Sequence, residues 1–127
     1  MMLVRCRVMP SKIHGLGVFA AERISKGESV WRYDSDVDYR IGCSDPRLAE
    51  GSLWKKHADT YGYIPHDTYY VEFPGDHAMF INHSYAPNIA CPNGNDMEAL
   101  RDIEVGEEIL TDYREFDDHP ESGGKLF

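Results

Sequence analysis

Cysteine is scarce in this chain, and its spacing excludes the sites that usually need it. The 127 residues include three cysteines, Cys6, Cys43 and Cys91, an odd number with no closely spaced pair. Neither a disulfide framework nor a cysteine-rich zinc site is therefore expected. A reducing, intracellular compartment is the simpler expectation, which means the cytoplasm of a bacterium or the nucleus of a eukaryote.

Long apolar runs, internal repeats and low-complexity blocks are lacking as well. Arginines at positions 5 and 7 interrupt the apolar start, and no apolar run reaches the length that spans a bilayer. We therefore expect no signal peptide, no membrane anchor and no membrane partner. With 42% hydrophobic and 28% charged residues, the chain fits one globular domain and is too short for two.

Positive charge is scarce in the C-terminal part of a chain whose formal net charge is -9. Residues 1–33 carry six Lys/Arg and two Glu, whereas residues 96–127 carry three Lys/Arg and eleven Asp/Glu. An acidic surface attracts basic partners and repels phosphate over about 8 Å at physiological salt, so direct nucleic-acid binding is not expected. An equally weighted alternative is that acidic residues such as Asp117 and Asp118 only keep the surface solvated.

Short strand patterns alternate with turns along most of the chain. Residues 34–42 predict a loop, and residues 45–58 predict one or two short helical turns, with Pro46 at a helix start and Gly51 as a weak point. Trp54 within them is expected to fill the core. Strands are predicted at residues 3–9, 30–33, 68–73, 96–103 and 108–113. The sequence thus predicts a mainly β domain of several small sheets with a short helical insert at about 34–66.

The stretch at residues 80–88, FINHSYAPN, combines a core anchor with ligand-binding groups. Two bulky apolar residues run directly into Asn82 and His83, which carry amide and imidazole groups, and Pro87 and Asn88 then turn the chain away. This arrangement is suited to holding a ligand. A loop capped by its own side chains explains the composition equally well.

Two further motifs flank this stretch, SKIHGLGVFA at residues 11–20 and GEEILTDY at residues 106–113. Gly15 and Gly17 mark a passage where the backbone can approach a partner closely, although alone they would indicate a plain turn. Taken together and in this order, the three motifs closely resemble the SET domain of protein lysine methyltransferases.

The resemblance implies the fold and the domain boundaries. A SET domain would occupy residues 1–116, followed by a short acidic tail at residues 117–127. The fold would be a β-clip of small sheets with a C-terminal pseudoknot, in which residues 106–113 are threaded beneath residues 80–84. Such threading is an exception to the rule that chains avoid passing through their own loops.

The resemblance also implies an activity and a set of site residues. The activity is methyl transfer from the cofactor S-adenosylmethionine to a lysine side chain, without a metal, and Tyr113 would be the catalytic residue. The cofactor-binding residues would be His14, Gly15, Leu16, Gly17, Tyr69, Asn82, His83 and Phe116. The lysine channel would be formed by Tyr69, Val71, Thr111 and Tyr113.

Several positions depart from the family pattern. The chain lacks the flanking zinc-binding cysteine clusters, so the short tail or a partner subunit, as in a homodimer, would complete the lysine channel. Phe116 would stand in for the aromatic lid that the segment after the domain supplies in the family, and Tyr85 stands where many relatives have cysteine. Thr111 stands where relatives often carry Phe or Tyr, and its smaller side chain predicts that di- or trimethylation is permitted.

Two functions of different classes follow from these observations. The first is a lysine methyltransferase acting on a basic protein, such as a histone, a DNA-compacting protein, a ribosomal protein or a translation factor. The second is a non-catalytic β-clip module that recognises a basic protein or peptide. The presence of Asn82, His83 and Tyr113 together favours the enzyme. A metal site built from the six histidines has poor support, because no pair shows ligand spacing.

Overall fold

The computed structural model describes residues 1–92 and 96–118, and within them nine short strands form four small sheets. Strands β1 and β2 pair antiparallel, as do β4 and β5; β8 lies between β3 and β7, and β6 pairs with β9 in parallel. The strands are β1 Cys6–Pro10, β2 Leu16–Ala20, β3 Ser29–Arg32, β4 Tyr39–Gly42, β5 Tyr70–Phe73, β6 Asn82–His83, β7 Ile89–Ala90, β8 Asp96–Ala99 and β9 Leu110–Thr111. The predicted mainly β fold of several small sheets is confirmed.

The insert contains one α-helix, α1 (Leu53–Tyr61), preceded by a 3-10 helix at Pro46–Leu48. Gly51 separates the two because its φ of +79° cannot continue a helix. Ser52 begins α1, and its side chain accepts a hydrogen bond from the Lys55 backbone N–H at 2.9 Å. The short helical insert is therefore confirmed.

Two sequence predictions in the insert are wrong. Residues 34–42 were expected to form a loop, but β4 occupies their second half and stacks Tyr39 on Phe73 of β5, with ring centroids 4.7 Å apart. Trp54 was expected in the core, but it is 38% exposed and lies beneath the Arg47 guanidinium, 4.9 Å from ring centroid to Cζ. Both outcomes depend on partners that local patterns do not reveal.

The main core consists of aliphatic side chains from most of the sheets. Its fully buried members each stabilise the fold by roughly 1.5–3 kcal/mol, and they include Val18, Ile24, Val30, Ile89, Ile103 and Ile109. A second cluster, made of Ile41, Ala58, Val71 and Phe73, attaches the insert to β5. The residues just before β6 and β9 are anchored in the main core, so the polar groups that follow have fixed positions.

The parallel pair β6–β9 brings two of the sequence motifs side by side. Asn82 is opposite Leu110 and His83 is opposite Thr111. Asn88 reinforces the pair, since its Oδ1 accepts from the Leu110 N–H at 2.8 Å and its Nδ2 donates to the Glu108 carbonyl at 2.8 Å. The threading of one segment beneath the other stays a prediction, and so do the domain boundaries. Residues 119–127 of the predicted tail lie outside the described residues.

Candidate active site

The Asn82 side chain connects the first motif to the central one through hydrogen bonds. Its Nδ2 donates to the carbonyls of His14 and Leu16 at 2.9 and 3.0 Å, and it lies 2.9 Å from Oε1 of Glu108. Because all three neighbours are acceptors, the amide nitrogen must face them, which fixes the orientation of the side chain. Oδ1 is turned the other way and accepts no hydrogen bond from any residue within 1–92 or 96–118. It remains available to a ligand.

Glu108 completes this connection, and sequence reasoning missed it. Its carboxylate accepts hydrogen bonds from Asn82 and from Ser11 Oγ at 3.0 Å, and Ser11 Oγ in turn accepts from the Ile13 N–H at 2.9 Å. A Cβ at Gly17 would lie 2.1 Å from Glu108 Oε1, so a larger residue there would displace the Glu108 carboxylate. The signal was present in the second glutamate of the GEE triplet, to which the sequence analysis assigned no role.

A groove of about 230 Å³ runs along this junction. Four of the predicted cofactor-binding residues line it, namely His14, Gly15, Leu16 and Asn82. The end of helix α1 adds a wall that the sequence analysis did not anticipate. The remaining lining residues are Thr60, Tyr61, Met79, Phe80, Ile81 and Tyr113.

Tyr113 is buried at the inner end of the groove. Its hydroxyl donates a hydrogen bond to the Ile81 carbonyl, and its ring centroid lies 5.9 Å from that of Phe116. Burial raises the pKa of this phenol well above its ordinary value, and the nearby Asp117 carboxylate raises it further. The side chain is therefore a protonated phenol at neutral pH.

His83 uses its ring to position Tyr113. Nδ1 of His83 accepts a hydrogen bond from the Tyr113 backbone N–H at 3.1 Å, so the proton of the neutral ring is on Nε2. Burial lowers the pKa of this imidazole, which agrees with a neutral ring. Nε2 is buried and has no hydrogen-bond partner in the described part of the chain. The Tyr85 ring meets that of His83 edge to face, with centroids 4.5 Å apart.

A second, narrow cavity of about 30 Å³ is also lined by Tyr113. It shares Ile81 and Tyr113 with the groove, so these two residues form a common wall. Trp31 Nε1 and Thr111 Oγ1 are buried without a hydrogen-bond partner among the described residues, and both residues line the cavity. The full lining is Trp31, Tyr63, Pro74, Ala78, Ile81, Met97, Thr111, Tyr113 and Phe116.

Five predicted site residues do not line the cavity expected for them. Gly17 and His83 adjoin groove-lining residues in the chain but do not line the groove, and the other three are Tyr69, Val71 and Phe116. Tyr69 is 89% exposed and lines neither the groove nor the narrow cavity, because it precedes β5 and points outside the packed strand. Val71 is buried in the second core cluster, where it packs on the insert. Phe116 lines the narrow cavity rather than the groove, since its ring packs against Tyr63 with centroids 5.1 Å apart. Tyr63, which was not among the predicted site residues, also lines the narrow cavity.

A wider cleft of about 490 Å³ opens beyond the narrow cavity and shares four of its lining residues, Trp31, Tyr63, Met97 and Phe116. The narrow cavity therefore shares lining residues with both the groove and the cleft, and Tyr113 is one of those shared with the groove. The described residues contain no group of three His, Cys, Asp or Glu side chains arranged to hold a metal ion. None of the helices in these residues is long and apolar enough to span a bilayer.

The fold and the site define a domain class that the comparisons identify. Residues 15–114 match the family model described as the SET domain, so the chain belongs to the SET domain family. A Schizosaccharomyces pombe protein named histone-lysine N-methyltransferase, H3 lysine-4 specific, is 34% identical over 126 residues, which cover 92% of this chain and 13% of that protein. Histone-lysine N-methyltransferase set1 of Dictyostelium discoideum is 34% identical over 119 residues, 87% of this chain and 8% of that protein. Both relatives are thus several times longer than this chain.

Solved structures show the same fold. The Chaetomium thermophilum Polycomb Repressive Complex 2, in an autoinhibited conformation bound to S-adenosylmethionine, matches with a TM-score of 0.67 at 24% identity, over 89% of this chain and 16% of that chain. A second structure of this complex matches with a TM-score of 0.68 at 23% identity, over 91% of this chain and 16% of that one. At these identities the likeness supports a common fold and nothing further.

Proposed function

We propose that this chain is a protein-lysine N-methyltransferase that uses S-adenosylmethionine. The observation that carries the proposal is the common wall of Ile81 and Tyr113 between the groove and the narrow cavity. Two reactants that enter from opposite sides would meet at the Tyr113 hydroxyl. The names of the two curated relatives support the same activity.

The groove has the groups that this cofactor requires. Asn82 Oδ1 is an unpaired acceptor for an ammonium group, and the Glu108 carboxylate, which contacts Nδ2 of the same side chain, adds negative charge nearby. The main chain of residues 14–16 lines the same groove. When bound, S-adenosylmethionine supplies a methyl group on a positively charged sulfur. The chain's own residues would hold that methyl group against the Tyr113 wall.

The narrow cavity is suited to an uncharged amine. Neutralising a lysine of pKa 10.4 at pH 7.4 costs about 4 kcal/mol, and apolar walls such as Met97 and Phe116 lower that cost by disfavouring the ammonium form. Tyr113 keeps its proton at this pH and therefore orients the amine rather than acting as its base. Alignment of the amine and the methyl group would supply most of the acceleration.

The substrate in this proposal is a basic protein, with a histone as the first candidate because both relatives carry that word in their names. DNA-compacting, ribosomal and translation proteins offer lysines in similar surroundings. The eleven acidic residues of positions 96–127 would attract any of them. An intracellular location, in the bacterial cytoplasm or the eukaryotic nucleus, and a homodimer that completes the cleft belong to the same proposal.

Calorimetry with S-adenosylhomocysteine, followed by transfer of radiolabelled methyl to core histones, tests the proposal. Tyr113→Phe should still bind the nucleoside but should lose most of the transfer, whereas Tyr69→Phe, an exposed tyrosine outside the groove and the narrow cavity, should retain it. Nucleoside binding without label transfer to any basic protein would favour the non-catalytic binding module.

A further inference from the structure

The guanidinium of Arg40, which lines the cleft, is contacted by two aromatic rings and one carboxylate. Its Cζ lies 3.6 Å from the ring centroid of Tyr33 and 4.7 Å from that of Tyr70. Nε donates to Oε2 of Glu72 at 2.5 Å. Two aromatic rings and one carboxylate thus restrict the guanidinium, which loses little further freedom when it binds something else.

The carboxylate that holds Arg40 is itself fixed. The Glu72 side chain is 4% exposed, and its second oxygen accepts a hydrogen bond from the Tyr63 hydroxyl. The Tyr63 and Glu72 backbones also exchange two hydrogen bonds, at 2.8 and 3.1 Å. Because Tyr63 lines the narrow cavity, this connection fixes Arg40 at a defined position relative to the lysine channel.

The two terminal nitrogens of Arg40 are unused. No hydrogen bond from Nη1 or Nη2 is found within residues 1–92 and 96–118, and the residue lines the cleft. Arg32, the other arginine of the cleft, differs because both Nε and Nη2 bind the carboxylate of Asp96. Arg40 therefore presents a free, oriented fork of N–H donors where a substrate would lie.

We propose that Arg40 is a specificity-determining residue that binds an anionic side chain of the substrate next to the target lysine. This inference rests on the proposed function. A guanidinium fork matches the paired oxygens of a carboxylate or a phosphoryl group, and charge-assisted bonds to such groups are the strong ones. The preferred substrate is then a basic segment that carries one acidic or phosphorylated residue at a fixed distance from the lysine.

Matched peptides test this assignment. Each fluorescein-labelled peptide has a central lysine in an alanine and arginine background, with Glu, Gln, phosphoserine or Ser at one position from three residues before to three after the lysine. Methyl transfer and fluorescence anisotropy, the latter with S-adenosylhomocysteine present, are measured for the wild type, Arg40→Lys and Arg32→Lys. Lysine keeps the charge at position 40 but offers neither the planar fork nor its stacking.

At one peptide position, Glu should bind about tenfold more tightly than Gln to the wild type and to Arg32→Lys. For Arg40→Lys this ratio should fall to about one to two. A preference for phosphoserine over Ser that exceeds the preference for Glu would identify a phosphoryl group as the anion. The proposal is overturned if no position discriminates Glu from Gln, if Arg40→Lys retains the ratio, or if it weakens all peptides equally. Anisotropy reports this result even where no methyl group is transferred, so a failure of the proposed function remains separate.

Discussion

Gly17→Ala tests whether the contact between the first and last motifs requires a residue without a Cβ at position 17. The added Cβ would lie 2.1 Å from Glu108 Oε1 and 2.8 Å from its Cδ. An ordinary contact between such atoms is about 3.4 Å. Because the Cβ–Oε1 distance would be only 2.1 Å, the carboxylate must move by more than about 1 Å. We expect such a shift to weaken or break the hydrogen bonds of Glu108 with both of its partners, Asn82 Nδ2 at 2.9 Å and Ser11 Oγ at 3.0 Å.

The magnitude follows from those two hydrogen bonds. Each is made to a charged group and contributes about 1.5–3 kcal/mol. Because Glu108 is only half-buried, water can take over part of the loss, so we expect the lower end of the sum, about 3 kcal/mol of unfolding free energy. Urea unfolding at constant pH measures this value. Binding of S-adenosylhomocysteine should weaken in the same variant, since Asn82 loses one of its three fixed neighbours.

Gly42→Ala is the matched control. Gly42 lies in β4, and a Cβ at this position meets nothing within 4 Å. Its unfolding free energy should change by no more than about 0.5 kcal/mol. In a Glu108→Ala background, Gly17→Ala should cost less than about 1 kcal/mol, because only Ser11 Cβ at 3.1 Å is then close. An equal cost of Gly17→Ala in both backgrounds would refute the reasoning.

Two further predictions concern the narrow cavity and the segment after it. Thr111 leaves space beside Tyr113, so mass spectrometry on a good substrate should show di- or trimethyl-lysine for the wild type and for Thr111→Val. Thr111→Phe fills that space and should give mainly monomethyl-lysine. Monomethyl product alone from the wild type would reject this prediction. Both ring nitrogens of His66 face acceptors, a carboxylate oxygen of Asp118 and the Arg114 carbonyl at 3.2 Å, and the hydrogen bond to Asp118 raises the pKa of the imidazole. Its stabilisation should be fully present below an unfolded pKa of about 6.5 and should be lost as the pH rises through the higher folded pKa. Urea midpoints between pH 5 and 9 should show this dependence in the wild type and not in His66→Gln, and identical profiles would contradict it.

The convergence of the three motifs was predicted from their resemblance to the SET domain, and the local anchoring of the motifs gives its physical reason. A run of core residues followed by Asn82 and His83, and a last strand that ends at Tyr113, each fix a polar group next to an anchored segment. The pairing of β6 with β9 then brings these groups together. Two short anchored segments with known ends leave few alternatives for their relative position.

The position of Tyr63 at the narrow cavity could not be predicted for a physical reason. Tyr69 lies next to a strong strand pattern, and Tyr63 lies in a turn-rich passage, so local propensity favours Tyr69 as the residue that lines a cavity. Two partners fix the position of Tyr63. The Glu72 carboxylate accepts a hydrogen bond from the Tyr63 hydroxyl, and the Phe116 ring, 53 positions further along the chain, packs on Tyr63. No pattern within a window of ordinary length contains both partners.

Net charge is an equally poor guide to the cleft itself. The acidic excess of residues 96–127 predicts attraction of a basic partner, but inside the cleft Arg32 is paired with Asp96 through two nitrogens and Arg40 with the buried Glu72 through Nε alone. The long-range field therefore favours a substrate with a basic surface, whereas the contacts in the cleft favour a substrate with a particular side chain near the lysine. Such a field would increase encounters with basic proteins, and it would act before contact. The unused Arg40 nitrogens would position the substrate only after contact, by binding an anionic side chain. A substrate that is only basic would therefore be attracted without being well positioned.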